Sequence, residues 1–182
     1  MDTTLFFILI FIGILFLGLI FMTILIVSFV IFGDIKGAPF VRSKREKIAI
    51  MLELAEIKAN DSIIDAGSGD GTILLEAAQR GARGIGIEIN PFLVWYSRIR
   101  ARYAGFAKTL SFEKKDFALS SFQNADIVFL YLWPHTVEKL KEKLFRELAP
   151  EARIISNSFP IKGWTPVKEK AGVYLYHPQK II

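Results

Sequence analysis

The chain has no cysteine and only two histidines in its 182 residues. The first absence excludes disulfides, thiolate metal sites and cysteine nucleophiles. His135 and His177 stand far apart and no H-E-x-x-H pattern is present, so no metal site is expected. No internal repeat or low-complexity linker interrupts the chain. From Leu5 to Phe32 charge and proline are missing altogether. As a helix this run would extend about 42 Å, against a hydrocarbon core of about 30 Å. Lysine and arginine are also absent from Met1-Asp2-Thr3-Thr4, whereas a cleaved signal peptide needs a basic start and a shorter apolar segment. A buried core helix is excluded too, because so small a domain could not cover that much apolar surface. The pattern predicts one transmembrane helix within residues 1–32.

What is present begins with charge. Lys36, Arg42, Lys44, Arg45 and Lys47 follow the apolar run, while Asp2 is the only charged side chain before it. The positive-inside rule then predicts that the remainder lies on the cytoplasmic face. Topology and contact with anionic headgroups account for this cluster, and a nucleic-acid partner is disfavoured. The net charge of +5 suits such a surface, and the 52% hydrophobic content is inflated by the span. Residues 33–60 read as a juxtamembrane connector and helix, and residues 61–182 as one α/β domain.

The chemistry starts at Ser62-Ile63-Ile64-Asp65-Ala66-Gly67-Ser68-Gly69-Asp70-Gly71. It reads as a buried strand ending in a carboxylate and breaking into three glycines at alternate positions. Glycine tolerates positive φ and lets backbone approach a ligand closely. Thr72 to Arg80 has helical apolar spacing, and Gly81 is a plausible stop. Strand, turn and helix together form a nucleotide-type site. A glycine turn alone also has a purely structural reading. Two carboxylates at suitable distances favour binding: Glu88, ending a second strand about 20 residues on, where a ribose hydroxyl pair is held, and Asp116, ending a third strand read over Leu110–Phe117 and placed for an adenine amino group. A dinucleotide fingerprint would need a glycine where Thr72 stands.

Asp65-x-Gly67-x-Gly69-x-Gly71 resembles the first motif of class I S-adenosylmethionine-dependent methyltransferases. The resemblance implies an α/β, Rossmann-like fold: a mostly parallel twisted sheet with a C-terminal antiparallel hairpin. It implies S-adenosyl-L-methionine as cofactor and S-adenosyl-L-homocysteine as product. The implied cofactor residues are Asp65, Gly67, Ser68, Gly69, Asp70 and Gly71 in the turn, then Glu88 and Asp116. Ile89 and Phe117 are expected against the adenine faces, and Pro39 and Phe40 as an N-terminal lid or a rigid turn. The missing cysteine excludes a cytosine-C5 enzyme that attacks through a thiolate.

The remaining pattern is consistent with that fold. Lys44–Ile57 reads as a helix, and Asn90-Pro91 as the cap and first residue of a helix to Tyr103. Ala125–Leu132 reads as a central buried strand, His135–Leu148 as a helix and Arg153–Ser158 as a fifth strand. Phe159–Pro166 leaves no room for a crossover helix. Val167–Lys170 and Val173–Tyr176 read as the closing hairpin.

A narrower resemblance extends over nearly the whole chain. The apolar helix, Gly37-Ala38-Pro39-Phe40-Val41, the Asp65 turn, Gly86 to Arg98, Phe159-Pro160 and Trp164-Thr165-Pro166 are similar to the membrane-anchored lysine methyltransferases of the ATP synthase c-ring protein and adenine nucleotide translocase. Arg42 departs from the family pattern, which has a proline there, and Leu130-Tyr131-Leu132-Trp133-Pro134 also differs. The resemblance implies methyl transfer to a lysine ε-amine of a membrane protein at the bilayer. Tyr131 and Trp133 are the candidates for lining the amine channel, with Asn157 and Trp164 on the adjoining edge; ordinary packing is the competing reading for all four. Two other functions remain open: a small-molecule or lipid amine methyltransferase, and a non-catalytic cofactor-binding membrane subunit. Strand four lacks the Asp/Asn-Pro-Pro-aromatic sequence of adenine amino methyltransferases.

Overall fold

The computed structural model describes residues 2–34 and 42–179 and divides the chain into two compact units, Met1–Pro39 and Phe40–Ile182. The first unit is one helix, α1 (Thr3–Asp34), with no acidic residue in its first turn and no basic residue in its last. From Thr3 to Phe29 it is long and apolar enough to cross a bilayer, and none of it is buried.

In the second unit, α2 (Arg45–Ala55) precedes β1 (Ser62–Ala66), α3 (Thr72–Ala78), β2 (Arg83–Glu88), α4 (Pro91–Tyr103) and β3 (Leu110–Lys114). Then come β4 (Ile127–Leu130), α5 (Pro134–Glu147), β5 (Arg153–Asn157), β6 (Lys168–Lys170) and β7 (Val173–Tyr176). The seven strands lie in the order β3-β2-β1-β4-β5-β7-β6. β1 to β5 are parallel, and β7 runs antiparallel to both β5 and β6. The class I architecture expected from the glycine motif is therefore present. All four residues of β4 are buried, as befits a strand covered on both faces.

The two faces are covered unequally. Ile48, Met51 and Leu52 of α2, Leu74 of α3 and Val94 of α4 share a core with Ile63, Phe129 and Ile155 on one face. On the other, among the described residues, α5 is the one α-helix, supplying Val137, Leu140 and Leu144. The loop after β5 completes that side with Ile161 and Trp164. It is held by Ser156 Oγ donating to the Phe159 carbonyl at 2.6 Å. The Tyr176 hydroxyl accepts from the Ile161 N–H at 3.1 Å, and Lys141 Nζ donates to the Lys162 carbonyl. The hairpin turns through Ala171 and Gly172, both at positive φ.

One boundary differs from the sequence expectation in a way that bears on the site. β3 stops at Lys114, two residues short of Asp116. The Asp116 side chain accepts from the Ala118 N–H at 2.9 Å and opens a short 3₁₀ turn, Phe117–Leu119. A local side chain-to-backbone bond of this kind competes with the strand ladder and ends it.

Candidate cofactor and acceptor site

Parallel strands gather their loops at their carboxyl ends, and the strand order reverses between β1 and β4, which makes that crevice the natural binding position. The Asp65–Gly71 turn leaves β1 there. Gly67, Gly69 and Gly71 all have positive φ (83°, 54° and 74°), so the alternating glycines meet a backbone requirement. Space is also short. A Cβ on Gly71 would stand 2.8 Å from the Phe112 ring, and one on Gly67 would stand 3.1 Å from Leu132. The turn is anchored to the end of β2, where the Ile87 carbonyl accepts from the Gly67 and Ser68 N–H groups.

Glu88 does the same work with its side chain. One carboxylate oxygen accepts from the Gly69 N–H at 3.0 Å and the other from the Asn90 N–H at 2.9 Å. It thereby joins the glycine turn to the cap of α4, where Asn90 Oδ1 receives the Phe92 N–H at 2.9 Å. Each carboxylate oxygen keeps further lone-pair capacity for a ligand hydroxyl. Ile89, half-buried, follows directly.

Two carboxylates of the turn sit in opposite electrostatic surroundings. Asp65 is buried, and among the described residues no donor bonds its carboxyl group. Burial, with the Glu88 and Asp70 carboxylates nearby, pushes its pKa up to about 8. Asp70 is also buried, but its oxygens receive the Thr72 hydroxyl at 2.7 Å, Arg42 Nη2 at 2.5 Å and Arg42 Nε at 3.0 Å. Arg100 Nη1 stands 3.2 Å away and also donates to the Asp70 carbonyl and the Thr72 hydroxyl. Burial alone would raise the Asp70 pKa, and the Thr72, Arg42 and Arg100 contacts outweigh it, leaving it below the usual value.

The remaining predicted residues occupy the same rim or the core beneath it. Asp116 is exposed and Phe117 half-buried at the exit of β3. Ser68 is buried, and its Oγ, which has no partner, lies 2.7 Å from where a Cβ on Gly86 would stand. Tyr131 and Trp133 follow β4; Tyr131 is half-buried and Trp133 is 45% exposed. The Trp133 ring lies 5.7 Å from that of Phe159, linking the exits of β4 and β5. Asn157 ends β5, is buried, and accepts from the Ser158 hydroxyl at 3.2 Å. Trp164 is buried in the α5-side core, its ring edge-on to Tyr176 and its Nε1 without a partner. Pro39 and Phe40 lie outside the described residues.

Comparisons with known proteins agree with this geometry. The model of the ANTKMT methyltransferase domain matches residues 65–168, beginning at Asp65 itself. The chain belongs to the ANTKMT methyltransferase family. A protein-lysine N-methyltransferase of Saccharolobus islandicus is 32% identical over 148 residues, covering 76% of this chain and 92% of that protein. The human lysine N-methyltransferase of the ATP synthase c-ring protein is 37% identical over 128 residues, 70% of this chain and 54% of the relative. The chain thus spans about half the length of that animal relative. Among solved structures, an RNA methyltransferase of Salinibacter ruber in complex with S-adenosyl-L-homocysteine superposes with a TM-score of 0.74. It is 37% identical and covers 78% of this chain and 96% of that one.

Within this methyltransferase domain the residues present fit a nucleoside-bearing, cationic cofactor. A cradle of crowded positive-φ glycines, an unsatisfied buried carboxyl at Asp65 and spare acceptor capacity on Glu88 converge at the ends of β1 and β2. Three contributors escape sequence reasoning. By sequence Arg42 belongs to the basic cluster after the span, yet it bonds Asp70; Lys47 of the same cluster bonds the Ala171 carbonyl. Arg100 is one of three arginines in α4, and only its position over the turn distinguishes it. Phe159 has a visible signal in its place directly after β5, but its ring partner Trp133 is 26 positions away.

Proposed function

We propose that this chain is a membrane-anchored, S-adenosylmethionine-dependent methyltransferase that acts on a lysine ε-amine of a membrane protein. The observation that carries the reading is the family match starting at Asp65, on a domain whose strand ends hold the carboxylates and glycine turn that such a cofactor needs. The bound cofactor supplies an electrophilic sulfonium methyl group. On this reading Asp65 and the turn receive its amino-acid end, Glu88 the ribose hydroxyls and Asp116 the adenine amino group. Ile89 and Phe117 flank the base, Ser68 and Asp70 shape the turn, and Pro39 and Phe40 close over it.

The acceptor must arrive neutral, although a free lysine has a pKa near 10.4. Partial burial at the β4 and β5 exits disfavours the ammonium form. The faces of Tyr131 and Trp133 attract the ammonium before it loses its proton, with Asn157 and Trp164 on the adjoining edge. Restricting the amine to this mouth aligns it for attack. The apolar helix within residues 1–32 serves as anchor, residues 33–60 as connector, and residues 61–182 as the catalytic domain on the cytoplasmic face. A tether of this kind raises the effective concentration of enzyme at membrane-bound acceptors.

The test is incubation of the full chain with methyl-labelled S-adenosylmethionine and membranes of the source cell. Label in a protein band, mapped to lysine by mass spectrometry, supports the reading; label confined to lipid or a small amine overturns it. A second reading, an RNA acceptor, draws support from the 37% identity to the Salinibacter ruber enzyme. Adding total RNA to the same incubation distinguishes it, since label would then move into nuclease-sensitive material.

A further inference from the structure

Helix α4 carries apolar residues on two sides. Leu93, Val94, Ser97 and Ala101 form its buried face. Phe92, Trp95, Tyr96, Ile99 and Tyr103 recur at i, i+3, i+4, i+7 and i+11, which places them within about 100° of arc on the opposite side. Trp95 is 56% exposed and Tyr103 90% exposed. Phe92 stacks parallel to Tyr96 at 6.4 Å and tilts against Trp95 at 5.6 Å, so the aromatic residues at the start of the helix form one continuous surface.

Within α4 the charges beside this stripe have a single sign. The helix contains no aspartate or glutamate and three arginines. On the helical wheel Arg100 borders the stripe on one side, and Arg98 and Arg102 border it on the other. Arg100 also lies over the Tyr96 ring at 5.7 Å. Arg98 and Arg100 are hydrogen-bonded to the domain through the Phe112 and Asp70 carbonyls, and Arg102 is exposed. Tryptophan and tyrosine favour the boundary between headgroups and acyl chains, where one part of the ring is apolar and another polar. Arginines flanking such a face complement anionic headgroups. A soluble domain has no structural reason to expose this combination on a helix that already has a buried face.

We propose that the outward face of α4 is a lipid-docking surface by which the domain lies on an anionic bilayer. Charge complementarity decides the occupant: an aromatic stripe with an all-positive border fits a layer of anionic headgroups over acyl chains, whereas the core of a protein interface is depleted of such charge. The proposal shares with the proposed function only the membrane location. It is independent of the acceptor, so a failure of docking and a failure of lysine methylation are separately visible.

The full chain reconstituted into vesicles of brominated phosphatidylcholine, with or without phosphatidylglycerol, tests it through tryptophan fluorescence. Bromine quenching is expected to be stronger with the anionic lipid, and Trp95→Phe is expected to remove that increment. Arg102→Glu, which alters an exposed side chain, should shift the docked-to-free ratio by about fivefold. Native circular dichroism in both variants shows that folding is retained. Quenching that is unchanged in Trp95→Phe overturns the proposal. So does a photoreactive p-benzoylphenylalanine at position 95 that, in native membranes, cross-links to protein and not to lipid; that outcome assigns the face to a protein partner.

Discussion

At one end of β1, Asp61 accepts from the Lys58 N–H and from Arg153 Nη2, each at 2.8 Å. At the other, four residues along, Asp65 is buried with no donor among the described residues. The contrast extends to their neighbours. At the amino-terminal end of the sheet, Asp126 accepts from the Ser62 N–H at 2.7 Å, and Arg153 also donates to the Ala55 and Glu56 carbonyls. A cavity of about 360 Å³ opens there, lined in part by Lys58, Asp61, Asp126 and Arg153, but these groups already serve one another. At the carboxyl-terminal end, charge is gathered and left incompletely satisfied. Groups that complete each other's hydrogen bonds hold a fold together, while a buried carboxyl that lacks a donor is maintained for something that arrives later.

The largest expected effect is at Asp65. Asp65→Ala and Glu88→Ala should each weaken S-adenosylhomocysteine binding by at least about 100-fold in calorimetry, as expected where a charged hydrogen-bonding partner is lost. They should differ in stability, because Glu88 also holds the Gly69 and Asn90 N–H groups and its loss costs about 1–3 kcal/mol. Tight binding retained by either variant would break the contrast between the two ends of β1.

Arg153→Ala is the counterpart. Losing its bonds to Asp61 and to two carbonyls of the α2 exit should cost about 3 kcal/mol in denaturant melts. Cofactor affinity should stay within about twofold, since surface effects distant from a site are nearly additive.

The proton on Asp65 predicts a pH profile. Its folded pKa, about 8, lies above the ordinary value of 3.8, so between these values the fold retains a proton that the unfolded chain has released. Stability is fully present below about pH 4 and lost as pH rises towards about 8, following the linkage between bound protons and folding. Asp65→Asn should flatten that slope in thermal melts of the ligand-free protein. Asp70 has the opposite sign, contributing stability that is lost only as pH falls below the ordinary carboxyl range.

Smaller effects sharpen the carboxyl-terminal end. Trp133→Ala or Phe159→Ala should lower kcat/KM about tenfold, the worth of one partly desolvated cation–π contact, while leaving S-adenosylhomocysteine affinity intact. Arg42→Ala should weaken that affinity by at most about fivefold, because the arginine is largely exposed and Arg100 still holds Asp70. The loss should shrink as salt rises.

Local chemistry is legible without any knowledge of the fold. The glycines at 67, 69 and 71 announce positive φ, and Asn90-Pro91 announces the start of α4. The alternation of apolar runs with helical spacing announces the parallel sheet. Asp116 is legible as a residue but not as a strand end, because its side chain bonds the backbone two residues on and stops β3 early. Arg42, Arg100 and Phe159 are illegible as site residues for a different reason. Their partners lie 28, 30 and 26 positions away, and no spacing rule spans such distances.

Composition and spacing by themselves determined that one segment is apolar enough to cross a bilayer and that a glycine turn between strand and helix follows a carboxylate. Those properties depend on side-chain type and on neighbours within a few residues. Tertiary structure alone decided that Asp70 is bound by arginines while Asp65 retains a proton, and that α4 turns a second aromatic face outward. Each of these depends on which distant groups share a low-dielectric neighbourhood, and only the folded chain brings them together.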